Sequence, residues 1–185
     1  QVAGLSVGLD YTRMKLAVEF PSVAYREGPE AVGRLARAIE EIGYDQLDMF
    51  DHVVMGFPTA DRPGGPYPPQ MPILEALMVL SFAAARTRTI GLGTEVLVLP
   101  QRQPVLVAKQ VSTLDTLSGG RVRLGVGVGW QASEYDALEM SFADRGRRMD
   151  EAIDLLRTYW RDEHVDFEGD FSTFPANGEE AEAAA

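Results

Sequence analysis

Apolar residues along the chain fall into two kinds of segment, and the two kinds alternate. Residues 15–20 (KLAVEF) and 46–50 (QLDMF) are short strand-like runs. Residues 89–99 (TIGLGTEVLVL) form the most apolar run, and residues 122–128 (VRLGVGV) form a fourth. Between these runs the spacing changes to three- and four-residue steps. Val32, Leu35, Ile39 and Ile42 recur in this way. Pro29 ahead of them suits a first helical turn, and Gly43 sits where a helix C-terminal glycine belongs. Pro72 is expected to open a second helix carrying Leu74, Leu77, Met78 and Phe82. Pro104 opens a third, with Val107, Val111 and Leu114, and a fourth is expected over 147–160, with Met149, Ile153, Leu156 and Trp160 in step. Residues 56–69 hold five prolines and three glycines and read as a loop.

Strand and helix thus alternate four times, and the strands are apolar on both faces, as buried parallel strands are. A repeat of about 37 residues matches that of an eight-unit barrel of about 250 residues. An open doubly wound sheet is the competing architecture. After the fourth helix, HVDFEGDFSTF predicts a hairpin turning near Glu168 and Gly169. Residues 1–13 read as an extension ahead of a domain over 14–174, and the polar, alanine-rich residues 175–185 as a disordered tail.

Composition narrows the chemistry. The 185 residues are 45% hydrophobic and 24% charged, enough for one soluble domain with a sizeable core. A net charge of −11 argues against nucleic acid or an anionic membrane as partner. The absence of cysteine excludes disulfides, zinc-thiolate sites and thiol nucleophiles, and is compatible with the cytoplasmic location expected here. No apolar run is long enough to span a bilayer. The lysines, Lys15 at a strand start and Lys109 inside a helix, are badly placed for Schiff-base chemistry. His52 and His164 are far apart and form no metal-binding pair, and neither a nucleophile elbow nor a P-loop is present. A bound organic cofactor is then the simplest source of chemistry, with a small molecule as substrate.

Ligands of parallel barrels and open sheets bind beyond the carboxyl ends of the strands. Ser118, Gly119 and Gly120 lie at the opposite end, where they are expected to finish a helix and turn the chain. Gly127, Gly129 and Trp130 lie at the functional end. Missing side chains there either let a flat ligand approach the backbone or mark a bulge or tight packing. The pattern is not a GxGxxG dinucleotide fingerprint. Asp51 and His52 end the second strand at the same face. They form either a proton-handling pair or a loop-capping carboxylate beside a histidine satisfied by a backbone carbonyl. Glu95 is the only charge between Arg88 and Arg102. A buried carboxylate there needs partners or a raised pKa, as a site residue in the barrel mouth or as a structural partner of an inward cation. Glu19 raises the same question more weakly. Pro100, Gln101 and Arg102 fall on the loop after the third strand.

The residues GLGTEVLVLPQRQPVLVAKQVSTLDTLSGGRVRLGVGVGWQASEYDAL, followed by RGRRMDEAIDLLRTYW, resemble the bacterial luciferase-like monooxygenase family, and most of all its branch that uses the deazaflavin coenzyme F-420. LAVEFP and FDHV fit the same family. The resemblance covers residues 14–174. It implies an α/β fold, the N-terminal half of a (β/α)8 TIM barrel made of about four βα units plus the terminal hairpin. It further implies hydride transfer at a flavin-type cofactor across the strand ends, coenzyme F-420 being favoured and FMN the alternative. Carried over by position, Asp51 and His52 lie beside the reactive ring, with His52 as proton donor or acceptor. Glu95 and Val96 match a non-prolyl cis peptide under the ring, and Val128, Gly129 and Trp130 line the ring and substrate pocket. Some sugar-phosphate-oxidising relatives carry an acidic residue where Trp130 stands, which argues against that substrate class and for an apolar or aromatic wall.

A closed barrel needs eight units, and four leave two raw sheet edges. The expectation is therefore a truncated chain of a longer oxidoreductase, or a half-barrel that pairs with a second half or forms a homodimer. A non-catalytic half-barrel that binds flavin or nothing is the alternative function.

Overall fold

The computed structural model describes residues 14–174. The expected extension over 1–13 and tail over 175–185 lie outside the described residues. In chain order the strands are β1 (Ala17–Glu19), β2 (Gln46–Met49), β3 (Gly91–Thr94), β4 (Leu97–Val98), β5 (Val122–Arg123), β6 (Val126–Gly127), β7 (Phe167–Glu168) and β8 (Thr173–Phe174). The helices are α1 (Pro29–Ile42), α2 (Ala76–Ala84), α3 (Pro104–Ser118), α4 (Ala132–Ala137) and α5 (Arg145–Arg161). Strands β1, β2, β3 and β5 form one parallel sheet in that order, β4 pairs with β6 in parallel, and β7 with β8 as an antiparallel hairpin. The sheet edges joined by long α-containing connections are those of a half-barrel, as the alternation of runs predicts.

Helix ends follow the punctuation read from the sequence. Gly43 and Gly119 close α1 and α3 in the left-handed conformation, with φ of 99° and 75°. The second helix differs from expectation: it opens at Ala76 rather than Pro72. Glu75 is extended and its carboxylate accepts from the Met78 N–H at 2.7 Å, so it caps the helix and fixes the boundary. The fourth expected helix is longer, Arg145–Arg161, and is preceded by the unforeseen short α4. The final turn falls over 169–172, just past Glu168, closed by Gly169 N–H donating to the Ser172 carbonyl at 2.9 Å.

Two expected strands are broken. The run 89–99 divides into β3 and β4 around a cis Glu95–Val96 peptide, and 122–128 divides into β5 and β6. At the break a side chain stands in for the ladder. The Thr94 hydroxyl donates to the Gly125 carbonyl at 2.7 Å and accepts from the Gly125 N–H at 3.0 Å. The Leu97 N–H then donates to the same carbonyl at 2.8 Å, and pairing resumes.

One face of the sheet packs on the helices. Leu47, Met49 and Leu92 are fully buried there with Leu80, Ala83, Val107 and Leu114. Each such aliphatic side chain contributes about 1.5–3 kcal/mol by leaving water. The other face carries polar groups in register. Glu19 pairs with Asp48, and Gly93 with Arg123. The Asp48 carboxylate and the Arg123 guanidinium form an ion pair that passes over Gly93, where a Cβ would strike Asp48. Glycine in β3 is what lets this ion pair span three strands.

The end of the sheet away from the site is held by charged groups saturated with backbone partners. Arg121 donates to the carbonyls of Ser118, Ile90 and Ala84 and to the Thr87 hydroxyl. Glu40 in the last turn of α1 accepts from the N–H groups of Arg88, Thr89 and Ile90 and from the Thr89 hydroxyl. Partial burial alone would raise the Glu40 pKa, but these donors outweigh it and hold the carboxyl at about 2, against 4.5 ordinarily. The stability it confers is present above 4.5 and is lost as pH falls toward 2. Glu40→Gln is expected to cost about 1–2 kcal/mol at neutral pH. In urea titrations at successive pH values, the gap from the wild-type chain should close across that window. A gap independent of pH would place the effect elsewhere.

Candidate active site

The chain leaves β2 through Phe50, Asp51 and His52, and alternation continues past the strand. Phe50 and His52 lie on one side, their rings 6.2 Å apart, while Asp51 turns the other way. Its carboxylate accepts from the Val98 N–H at 2.9 Å and from Arg102 Nη2 and Nε at 2.7 and 3.3 Å. Arg102 also pairs with Glu75 at 3.0 Å. Burial disfavours the guanidinium's charge, but Asp51 and Glu75 outweigh this and raise its pKa. Asp51 therefore does not pair with His52, contrary to the proton-handling dyad considered from their adjacency; successive residues of an extended chain point to opposite faces.

The carboxylate partner of His52 is Glu134, on α4 and absent from the sequence reading. His52 Nδ1 lies 3.3 Å from Glu134 Oε2. The other oxygen accepts from the N–H groups of Val53 and Val54, at 2.5 and 3.1 Å, and the Gln101 amide donates to Oε2 at 3.3 Å. Glu134 is 1% exposed. Burial pushes its carboxyl up, yet the bonds from His52, Val54, Val53 and Gln101 overcome that and the net shift is downward. Facing that carboxylate, Nδ1 carries the hydrogen, and Nε2 is the nitrogen left for other partners. Gln131, just ahead of α4, donates to the Val54 carbonyl at 2.6 Å, so residues 52–54 are gripped by two side chains, Gln131 and Glu134. Tyr135 donates to the Val128 carbonyl at 2.6 Å, and burial pushes its phenol to about 12.

These contacts shape a cavity of about 360 Å³ lined by Phe50, Asp51, His52, Tyr67, Glu95, Val96, Val98, Gly127, Val128, Gly129 and Trp130. All seven residues proposed from the sequence, Asp51, His52, Glu95, Val96, Val128, Gly129 and Trp130, meet there. The floor is aliphatic. A Cβ at Gly127 would strike Val96, and one at Gly129 would come within 2.7 Å of Val98. Gly129 also has φ of 68°. Close packing therefore accounts for these glycines, and it leaves Val96 and Val128 open on the floor, 41% and 40% exposed. The wall is aromatic. His52 meets Trp130 edge-on at 5.5 Å and Tyr67 at 5.8 Å, and Tyr67 stacks on Phe50 at 5.5 Å. Tyr67, also missed, comes from the proline-rich loop; Gly65 lets that loop lie against the Trp130 indole, which a Cβ there would strike.

Glu95 corrects another expectation. It is exposed on the polar face of the sheet rather than buried in a strand, because the chain breaks at that residue. Desolvation, then the charges of Asp48 and Glu19, raise its pKa, against Arg123. Glu19 is exposed and lies outside the cavity. Ser118, Gly119 and Gly120 end α3 far from it, as expected. Among the described residues no cluster of three or more His, Cys, Asp or Glu could hold a metal, and no helix is long and apolar enough to cross a membrane.

A sequence profile described as luciferase-like monooxygenase matches residues 14–182. An uncharacterized protein of Mycobacterium tuberculosis is 33% identical over 149 residues, 76% of this chain and 51% of its own length. The F-420-dependent glucose-6-phosphate dehydrogenase of Nocardia farcinica is 33% identical over 161 residues, 84% of this chain and 45% of its own. The crystal structure of monooxygenase RslO1 from Streptomyces bottropensis superposes with a TM-score of 0.71 and 29% identity, covering 87% of this chain and 47% of that one. The chain thus spans about half the length of the relatives it matches.

Removing the Glu134 carboxylate leaves two backbone N–H groups, an imidazole N–H and an amide without a buried acceptor. Glu134→Ala is expected to lower stability by about 2–4 kcal/mol in urea. The ¹⁵N shifts of His52 should move from the Nδ1–H tautomer to a mixture. An unchanged tautomer would show that something else orients the ring.

Proposed function

The chain belongs to the luciferase-like monooxygenase family, and from that premise we propose that it forms the N-terminal half of an oxidoreductase site that binds a flavin-type cofactor and a small organic substrate. The observation that carries this reading is the cavity at the carboxyl ends of the strands, where a bare aliphatic floor faces a histidine held by a buried carboxylate. Val96, Gly127, Val128 and Gly129 would meet the flat face of the cofactor ring. Their fit rests on the floor itself, apolar and free of side chains at both glycines. Coenzyme F-420 is favoured over FMN. The support is the 32–34% identity, over 82–84% of the chain, of four dehydrogenases described as F-420-dependent. When bound, such a cofactor supplies two-electron chemistry.

The protein's part is proton handling and exclusion of water. His52 takes or returns a proton at Nε2, while Glu134 holds Nδ1–H and steadies the imidazolium that forms. Asp51, engaged by Arg102 and the Val98 N–H, positions β4 beside β2. Phe50, Tyr67 and Trp130 crowd His52 and keep bulk water from it. Glucose 6-phosphate is not the substrate proposed: Trp130 stands where an acidic residue would be expected, and no lysine or arginine lines the cavity.

Titration of the purified chain with coenzyme F-420 and with FMN, followed by the cofactor's own fluorescence, should saturate at one equivalent, more tightly for F-420. Binding of neither overturns the cofactor assignment, and tighter binding of FMN reverses the preference. In turnover assays of the cofactor-loaded protein, His52→Ala should lower kcat by about 10²–10⁴ and leave the cofactor Kd nearly unchanged. Full turnover after that substitution would remove His52 from the reaction and favour a passive cofactor-binding role.

A further inference from the structure

The aromatic wall is more than the floor requires, and it contains a residue from outside the strands. Tyr67 sits within Pro66-Tyr67-Pro68-Pro69, a stretch whose fixed φ angles leave little freedom to move. It is pinned from both sides, by stacking on Phe50 with the planes 21° apart and by its edge-on meeting with His52. The loop that carries it is held near α4 at two further points. Gly65 lies on the Trp130 indole, and Arg62 donates to Asp136 at 2.6 Å. Trp130, which lines the same cavity as Tyr67, is 46% exposed while its edge contact with His52 is made. A half-exposed indole and a fixed phenol lining one cavity make a place for another ring, because aromatic faces and edges attract in offset and T-shaped pairs.

Charge completes the picture. The ionisable side chains of the cavity are those of Asp51, His52, Tyr67 and Glu95. The arginines bonded to the carboxylates around it are occupied: Arg102 by Asp51 and Glu75, Arg123 by Asp48. An anionic group on a substrate would meet Glu95, and no lysine or arginine lines the cavity to offset it. Resting on the oxidoreductase reading above, we propose that the site takes a substrate with an uncharged planar ring, held between Trp130 and Tyr67, and that these two side chains determine that specificity.

The chain has two tryptophans. Trp160 lies away from the site, its indole N–H donating to Ser112 at 2.9 Å, so Trp160→Phe leaves Trp130 as the reporter. The probes are 4-nitrobenzamide and 4-nitrobenzoate, matched in shape and different in charge, both quenchers of indole emission. Saturable quenching by the amide is expected, with the carboxylate weaker by roughly tenfold or more. Tyr67→Ala should weaken the amide by about two- to twelvefold, the loss of one aromatic pair. Tyr67→Phe should restore binding, which a role through the hydroxyl would not allow. Equal or tighter binding of the carboxylate overturns the proposal. So does quenching by both probes that never saturates, or an amide affinity indifferent to Tyr67→Ala. Cofactor binding is read in parallel by cofactor fluorescence. Failure there sinks the oxidoreductase reading whatever the nitro probes do, and success there with a preference for the carboxylate sinks only the substrate class.

Discussion

The buried carboxylate of Glu134 collects four donors from two distant parts of the chain: the imidazole and two backbone N–H groups that follow β2, and the Gln101 amide that follows β4. Neither segment has a regular ladder to hold it. Residues 52–54 have left the sheet, and Gln101 lies in a single 3₁₀ turn. Their polar groups would otherwise be buried without partners, each at a cost comparable to a lost hydrogen bond. One ionised side chain satisfies them together, and in doing so sets the position of His52 relative to the strand ends. The cavity wall follows from that, since Phe50, Tyr67 and Trp130 all pack against the histidine ring.

A second buried carboxylate works beside the first. Asp51 and Arg102 are 1% and 15% exposed at their side chains and meet in a two-pronged ion pair. Desolvating both charges offsets much of their attraction, so the pair is better understood as fixing geometry than as adding stability. It locks β4 and the end of the following turn to the end of β2. The two carboxylates therefore divide the work. Asp51 holds the backbone on the helix side, and Glu134 holds the histidine on the cavity side. Only the second leaves a ring nitrogen available for chemistry.

The alternation of strand and helix was legible because burial imposes it. Strands covered on both faces must be apolar throughout, and helices packed on one side must repeat at three and four residues. Helix ends at Gly43 and Gly119 were legible because they need a left-handed residue. The breaks at 95–96 and 124–125 were not. They depend on the Thr94 hydroxyl replacing a ladder bond across to Gly125, which no local pattern announces. The start of α2 was misplaced because Pro72 is a permissive signal, whereas Glu75 makes the actual cap. Helix α4 escaped because six residues are too few to show a period. Glu134 escaped with it, lying about eighty positions from the histidine it serves. The residues placed at the site were found by resemblance and by strand-end position; Tyr67 and Glu134, which come from a loop and a short helix, had neither signal.

The two ends of the sheet show how a stability face differs from a site when both are rich in charge. At the amino ends, Glu40 and Arg121 each spend their hydrogen-bonding capacity on backbone groups and one or two hydroxyls. Such groups have no reason to meet a ligand. At the carboxyl ends satisfaction is incomplete. Gln101 gives its amide N–H to Glu134 and keeps a buried carbonyl oxygen without a partner among the described residues. Val96, Val128 and Trp130 stay open to water although each is large and apolar. Exposed apolar side chains also stand elsewhere, Ile42 and Leu117 among them, but Val96, Val128 and Trp130 line one cavity together. The unmet demands are mostly apolar, and the charges nearest them are negative or already paired. That combination is what supports the proposal of a flat, neutral substrate.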